Sequence, residues 1–120
     1  MAEHNELGRV GEEMAVQHLR DNGFKILETN WRFGKDEIDI IAEKGNFLVI
    51  VEVKTRRSSV FGEPEIFVNA AKQRFLIRAT QAYIEKHNVS LEARFDIVSI
   101  ILNSSTKRIN HLEDAFYPVL

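Results

Sequence analysis

The stretch GKDEIDIIAEKGNFLVIVEVKTR, residues 34–56, decides the fold. Two runs of alternating apolar residues flank Gly45-Asn46, a favoured two-residue hairpin turn. That turn pairs Lys44 with Phe47. Stepping back along both strands sets Asp39 directly opposite Glu52 and Glu37 opposite Lys54. Side chains alternate with a period of two, so these four share one face with Ile41 and Ile50. The opposite face carries Ile38, Ile40, Ala42, Val49, Val51 and Val53, and it is the packed one.

Two facing carboxylates are destabilising on a sheet. At ~4 Å and an effective dielectric of about 20, the repulsion is on the order of 4 kcal/mol. A retained proton, with a raised pKa, would offset it. So would a divalent cation, which hard carboxylate oxygens bind well. Lys54 adds positive charge on the same face. An exposed hairpin with Lys54 bridging to Glu37 is the plainer alternative, weakened by Ile41 and Ile50, which make the face more than a solvated one.

Outward from the hairpin, residues 5–22 read as a helix that stops before Gly23, and 24–32 as a strand. Residues 58–65, with Gly62 and Pro64, read as a loop able to touch substrate or act as a flap. Residues 66–87 form a long helical pattern, 94–102 a strand, and 108–113 a short last strand. The order α-β-β-β-α-β(-β) predicts one α/β domain over 1–120, a mixed central sheet flanked by helices.

Glu12 joins the hairpin carboxylates. Gly8, Gly11, Glu12, Ala15 and Leu19 form one stripe of the first helix. Small residues there let the helix approach the sheet, so Glu12 points into the body of the protein. The alternative is a glutamate favoured near a helix N-terminus by the dipole. A carboxylate pair, a lysine two residues on and a helical glutamate suit metal-assisted phosphodiester hydrolysis. Asp39, Glu52 and the Val53 carbonyl would hold the metal. It would polarise the phosphate and acidify a bound water. Lys54 would orient that water or stabilise developing charge. Glu12 would hold a second metal or a metal-bound water.

D-x12-E-V-K, with the Asp on one strand and E-x-K on the next, resembles the PD-(D/E)XK nuclease superfamily. The chain resembles the YraN-like family more closely, nearly end to end. GRVGEEMAVQHLRDNGF (8–24), EIDIIAEKGNFLVIVEVKTR (37–56), Lys72-Gln73-Arg74, RFDIV (94–98) and EDAF (113–116) carry the match. The resemblance, which extends to archaeal Holliday-junction resolvases, implies a restriction-endonuclease-like core and Mg²⁺ at the site, with Mn²⁺ as a substitute. Glu12, Asp39, Glu52 and Lys54 match its catalytic positions. Ile38 stands where a proline often precedes the aspartate, and Asp36 where the family often has glycine. The implied activity is cleavage of DNA, structured or branched, and resolvases of that kind work as homodimers. A nuclease fold that binds nucleic acid or protein without turnover is the alternative.

The rest of the chain narrows the setting. It is 44% hydrophobic and 28% charged with net charge −2, which argues against a general nucleic-acid coater. The basic residues Arg56, Arg57, Lys72 and Arg74 fall in the middle third and predict a local nucleic-acid-binding face. There is no cysteine and no apolar run long enough to span a bilayer, so the expectation is a cytoplasmic protein without a membrane partner. Gln73 reads as surface, with a reach to the site as the alternative. Trp31 reads as a cap on the core rather than a base-stacking platform. Asp96 reads as structural, paired with Arg94 or a loop backbone. His4, His18, His87 and His111 share no metal-ligand spacing and read as surface residues.

Overall fold

The computed structural model describes residues 2–60 and 62–117, with the backbone alone for 2–5, 66 and 67. His4's side chain and Phe61 of the predicted loop lie outside the described residues. The elements are α1 (Ala2–Asp21), β1 (Lys25–Phe33), β2 (Asp36–Lys44), β3 (Phe47–Arg56), a 3-10 turn (Pro64–Phe67), α2 (Ala70–His87), β4 (Glu92–Leu102) and β5 (Lys107–Phe116). This is the mixed α/β order expected, with the last strand present. The five strands lie in chain order across one sheet. Neighbours are antiparallel except β3 and β4, which are parallel. A parallel pair needs a long crossover, and α2 supplies it.

The helices cover opposite faces. On the α1 side, Ala15 and Leu19 pack with Ile40, Val49, Val51 and Val98. On the α2 side, Leu76, Ala79 and Tyr83 pack with Ile41, Leu48, Ile50 and Phe95. The sequence reading assigned one packed face to the hairpin; both are packed. That is why FLVIV (47–51) reads as a continuous apolar run, as a strand buried on both faces does.

Helix ends follow their caps. Gly23 sits at φ +84°, and Phe24 N–H donates to Leu19 O at 2.9 Å, closing α1 in a left-handed C-terminal turn. The helical pattern predicted from residue 66 starts later. Pro64 opens the separate 3-10 turn, and the Asn69 side chain accepts from Lys72 N–H at 2.9 Å, capping α2. Among the described residues, no helix is long and apolar enough to cross a membrane.

The small stripe of α1 does two different things. Gly8 is exposed, with open space where a Cβ would project. Gly11 is buried, and a Cβ there would lie 2.0 Å from Thr55 Oγ1 and 2.9 Å from Thr55 Cβ. Ala ordinarily favours a helix over Gly by about 1 kcal/mol. Here the sign reverses: Gly11→Ala should destabilise by about 1–3 kcal/mol, the usual range for overpacking. Gly8→Ala should stabilise slightly. Urea melts of the two variants check the pair, and a stable Gly11→Ala protein would refute the close contact.

Candidate active site

The hairpin register is the predicted one from Lys44 opposite Phe47 to Ile40 opposite Val51. There the ladder stops. Ile40 packs on the α1 side, but Ile38, two residues away, packs on the α2 side. In a regular strand they would share a face. β1 breaks at the same level: Thr29 pairs with Ile40 and Trp31 with Ile38, and Asn30 between them has φ +53°. Trp31 packs with the α2-side core, stacked on Phe33 and edge-on to Tyr83, so it caps the core as expected. The expectation that Ile38 lies with Ile40 is corrected, and the cause is this paired break in alternation.

The break releases Asp39 from a regular ladder position. Asp39 Oδ2 accepts the Val53 N–H at 2.8 Å, the bond that a continuing ladder would give to the Ile38 carbonyl. A strand residue's N–H and C=O point to the same edge. The Val53 carbonyl therefore also faces the fork between β2 and β3. Asp39 and Glu52 stay in side-chain contact, as the register predicts, and a hydrogen bond between them requires one to keep a proton.

Glu52 is the most confined of these groups. It is 3% exposed, and its Oε1 has no hydrogen-bond partner. Its Oε2 lies 3.8 Å from Lys54 Nζ and 3.7 Å from Lys72 Nζ. Burial, then the Asp39 charge, pushes its pKa up to about 8 against the pull of the two lysines. Burial also raises Asp39, held back by the Val53 N–H, the contact with Glu52 and the lysines. Glu12, half-buried on α1, is raised to about 7, first by burial and then by Asp39 and Glu37; Asn30 Nδ2 donates to its Oε1 at 2.9 Å and partly offsets this. Glu12, Asp39, Val53, Lys54, Thr55 and Arg56 line one cavity of about 260 Å³, with Leu7 and Gly8 beside them.

One alternative falls and one expectation changes. Lys54 does not bridge to Glu37, which instead meets Arg32 at 3.5 Å. Lys72, expected on a nucleic-acid-binding face, turns inward to Asp36 at 3.1 Å as well as to Glu52. Burial works against its charge, but Glu52, Asp36 and Asp39 hold its pKa above the ordinary lysine value. The Asn69 cap puts Lys72 in the first turn of α2, beside the fork. Gln73 Nε2 donates to Val68 O at 3.1 Å, a structural role in the same turn. Arg56 lines the cavity, and Arg57 and Arg74 are exposed.

Asp96 is structural, and more elaborately so than expected. It takes both Arg94 guanidinium contacts at 2.9 Å, the Asp114 N–H at 3.0 Å and His111 Nε2 at 2.8 Å. Since the carboxylate accepts, His111 donates from Nε2 and presents Nδ1 to His18 Nε2 at 3.1 Å. His18 and His111 are thus half-buried partners that tie α1 to β4 and β5, not surface residues. Nothing in their spacing signals this.

Among the described residues, no three His, Cys, Asp or Glu side chains converge as a metal cluster. The available donors are two carboxylates and a carbonyl. They fit a hard divalent cation that keeps several waters, the habit of Mg²⁺. The unpartnered Glu52 Oε1 is the observation favouring that fit. Pairs of carboxyls with raised pKa in a cleft beside lysines are a common mark of a functional site.

The fold and site thus define a mixed α/β protein with a carboxylate-lysine pocket at a sheet fork. The chain belongs to the UPF0102 family: residues 11–100 match the model described as "Uncharacterised protein family UPF0102". It is 52% identical over 117 residues to a UPF0102 protein of Flavobacterium psychrophilum, with 98% of each chain covered. It is 48% identical to one from Christiangramia forsetii, again with 98% of each covered. A Bacteroides thetaiotaomicron relative is 47% identical, covering 100% of this chain and 99% of its own.

Proposed function

We propose that the protein is a divalent-metal-dependent endonuclease that hydrolyses phosphodiester bonds in DNA, structured or branched DNA above all. The observation that carries this reading is the buried Glu52, with one unpartnered oxygen, set against Asp39 and flanked by Lys54 and Lys72. Asp39, Glu52 and the Val53 carbonyl would hold Mg²⁺ or Mn²⁺. When bound, such an ion polarises a phosphate and lowers the pKa of water. Lys54 supplies positive charge where the pentavalent phosphate develops negative charge. Glu12, raised to about 7, is matched to accept a proton from the attacking water near neutral pH. The reading takes the protein to be cytoplasmic and to act on a branch as a homodimer, because two strands must be cut.

One observation favours a binding module without turnover. Two lysines already face Glu52, and such a cluster satisfies itself as an ion-pair network. The test is incubation with branched, single-stranded and duplex DNA and RNA, with Mg²⁺, Mn²⁺ or EDTA. Cleavage of branched DNA that EDTA abolishes supports the endonuclease. Cleavage of RNA alone reassigns the substrate. Binding without any cleavage selects the module.

A further inference from the structure

We infer that Asn30 is a positioning residue for Glu12: its left-handed backbone and its side-chain amide together aim the Glu12 carboxylate at the pocket that holds Asp39 and Lys54. This rests on the endonuclease reading and adds a residue to it.

Asn30 lies between Thr29 and Trp31, the partners of Ile40 and Ile38, so it stands across from Asp39 on the neighbouring strand. Its φ of +53° is uncommon inside a strand. The conformation is what lets residues two apart lie on different faces, with Thr29 beside α1 and Trp31 against the α2-side core. The same change turns the Asn30 side chain toward α1, where Nδ2 donates to Glu12 Oε1 at 2.9 Å. Alternation continued from Thr29 would carry position 30 to the α2 face, out of reach of Glu12.

Glu12 needs such a tether. It lines two cavities, the site pocket and a groove of about 590 Å³ over Thr29 and Asn30. A glutamate side chain has three rotatable bonds and would sample both. The bond from Asn30 engages Oε1 and leaves Oε2 for a substrate water. Arg9, one turn earlier on α1, is bound to Glu6 and Glu13 and does not compete for it.

Asn, Asp and Gly all tolerate a left-handed backbone, which separates aiming from folding. Asn30→Gly and Asn30→Asp should both melt within about 3 °C of wild type. Each should nevertheless lower single-turnover cleavage of a branched DNA by about 10- to 100-fold, the usual effect of losing a residue that orients a reacting group. Substrate affinity should stay within about twofold, so the loss is in rate and not in binding. Glu12→Ala should abolish the effect: adding Asn30→Gly to it should lower the rate no further. If Asn30→Asp cleaves like wild type, or Asn30→Gly melts well below it, the residue serves the backbone alone and the inference is overturned while the endonuclease stands. If wild type cleaves no nucleic acid at all, the endonuclease reading falls and takes the inference with it.

Discussion

Metal-free protein should lose stability as pH rises from 4.5 to about 8, the interval between the ordinary glutamate pKa and that of buried Glu52. The sign follows from linkage. Over that interval the folded state keeps a proton that the unfolded chain has released, so raising the pH favours unfolding. The Glu52 contribution is fully present below 4.5 and is lost through about pH 8. Glu12, raised to about 7, acts in the same direction, reduced by its solvent exposure. Mg²⁺ or Mn²⁺ should reverse the loss, because in the proposed site a cation would take the place of the proton between Asp39 and Glu52. A ligand bound only by the native state adds about 2.7 kcal/mol at a hundredfold excess over Kd. Glu52→Gln keeps the shape, removes the titration and removes a proposed ligand. Its melting temperature should be flatter with pH, higher than wild type without metal at pH 8, and indifferent to Mg²⁺. Asp39→Asn should likewise abolish the metal response. Scanning calorimetry across pH with and without metal reads all three. A wild-type melting temperature unmoved by metal, with no heat of binding, would remove the cation from the site.

Lys54→Ala should lower cleavage about 10²- to 10³-fold, the typical loss when a group that stabilises transition-state charge is deleted. It should leave DNA affinity nearly intact. Lys72→Ala should behave the same way, because Lys72 Nζ stands as close to Glu52 as Lys54 does, at 3.7 against 3.8 Å. Changing Arg56 and Arg57 together should weaken binding to every sequence and flatten the salt dependence by about one logarithmic unit per lost phosphate contact. Affinity measured against salt, beside single-turnover cleavage on one branched DNA, separates the two classes. A fully active Lys54→Ala enzyme would show that the catalytic assignment is wrong even though the fold is right. If Lys72→Ala flattens the salt slope and spares the rate, Lys72 returns to the DNA-binding face where its sequence context had put it.

What was legible in the sequence was what local pattern controls. A Gly-Asn turn and period-two alternation determine a register that holds from Lys44 to Ile40, and just beyond its end Asp39 still meets Glu52. Small residues at helical spacing determine that α1 lies close to the sheet, and Gly11 against Thr55 bears this out. The first depends on one tight turn and the second on the spacing of residues along one helix, both local patterns. The tertiary structure alone decided three other things. It placed Lys72 at the site, since the direction of a lysine in the first turn of a helix depends on how that helix docks across the sheet. It joined His18 directly to His111, 93 residues apart, with buried Asp96 holding the other ring nitrogen of His111. And it broke the alternation of β1 and β2 together at Asn30 and Asp39. An exposed asparagine in a left-handed conformation leaves no periodic trace, because its backbone state is selected by the strands on either side and not by its own neighbours in sequence.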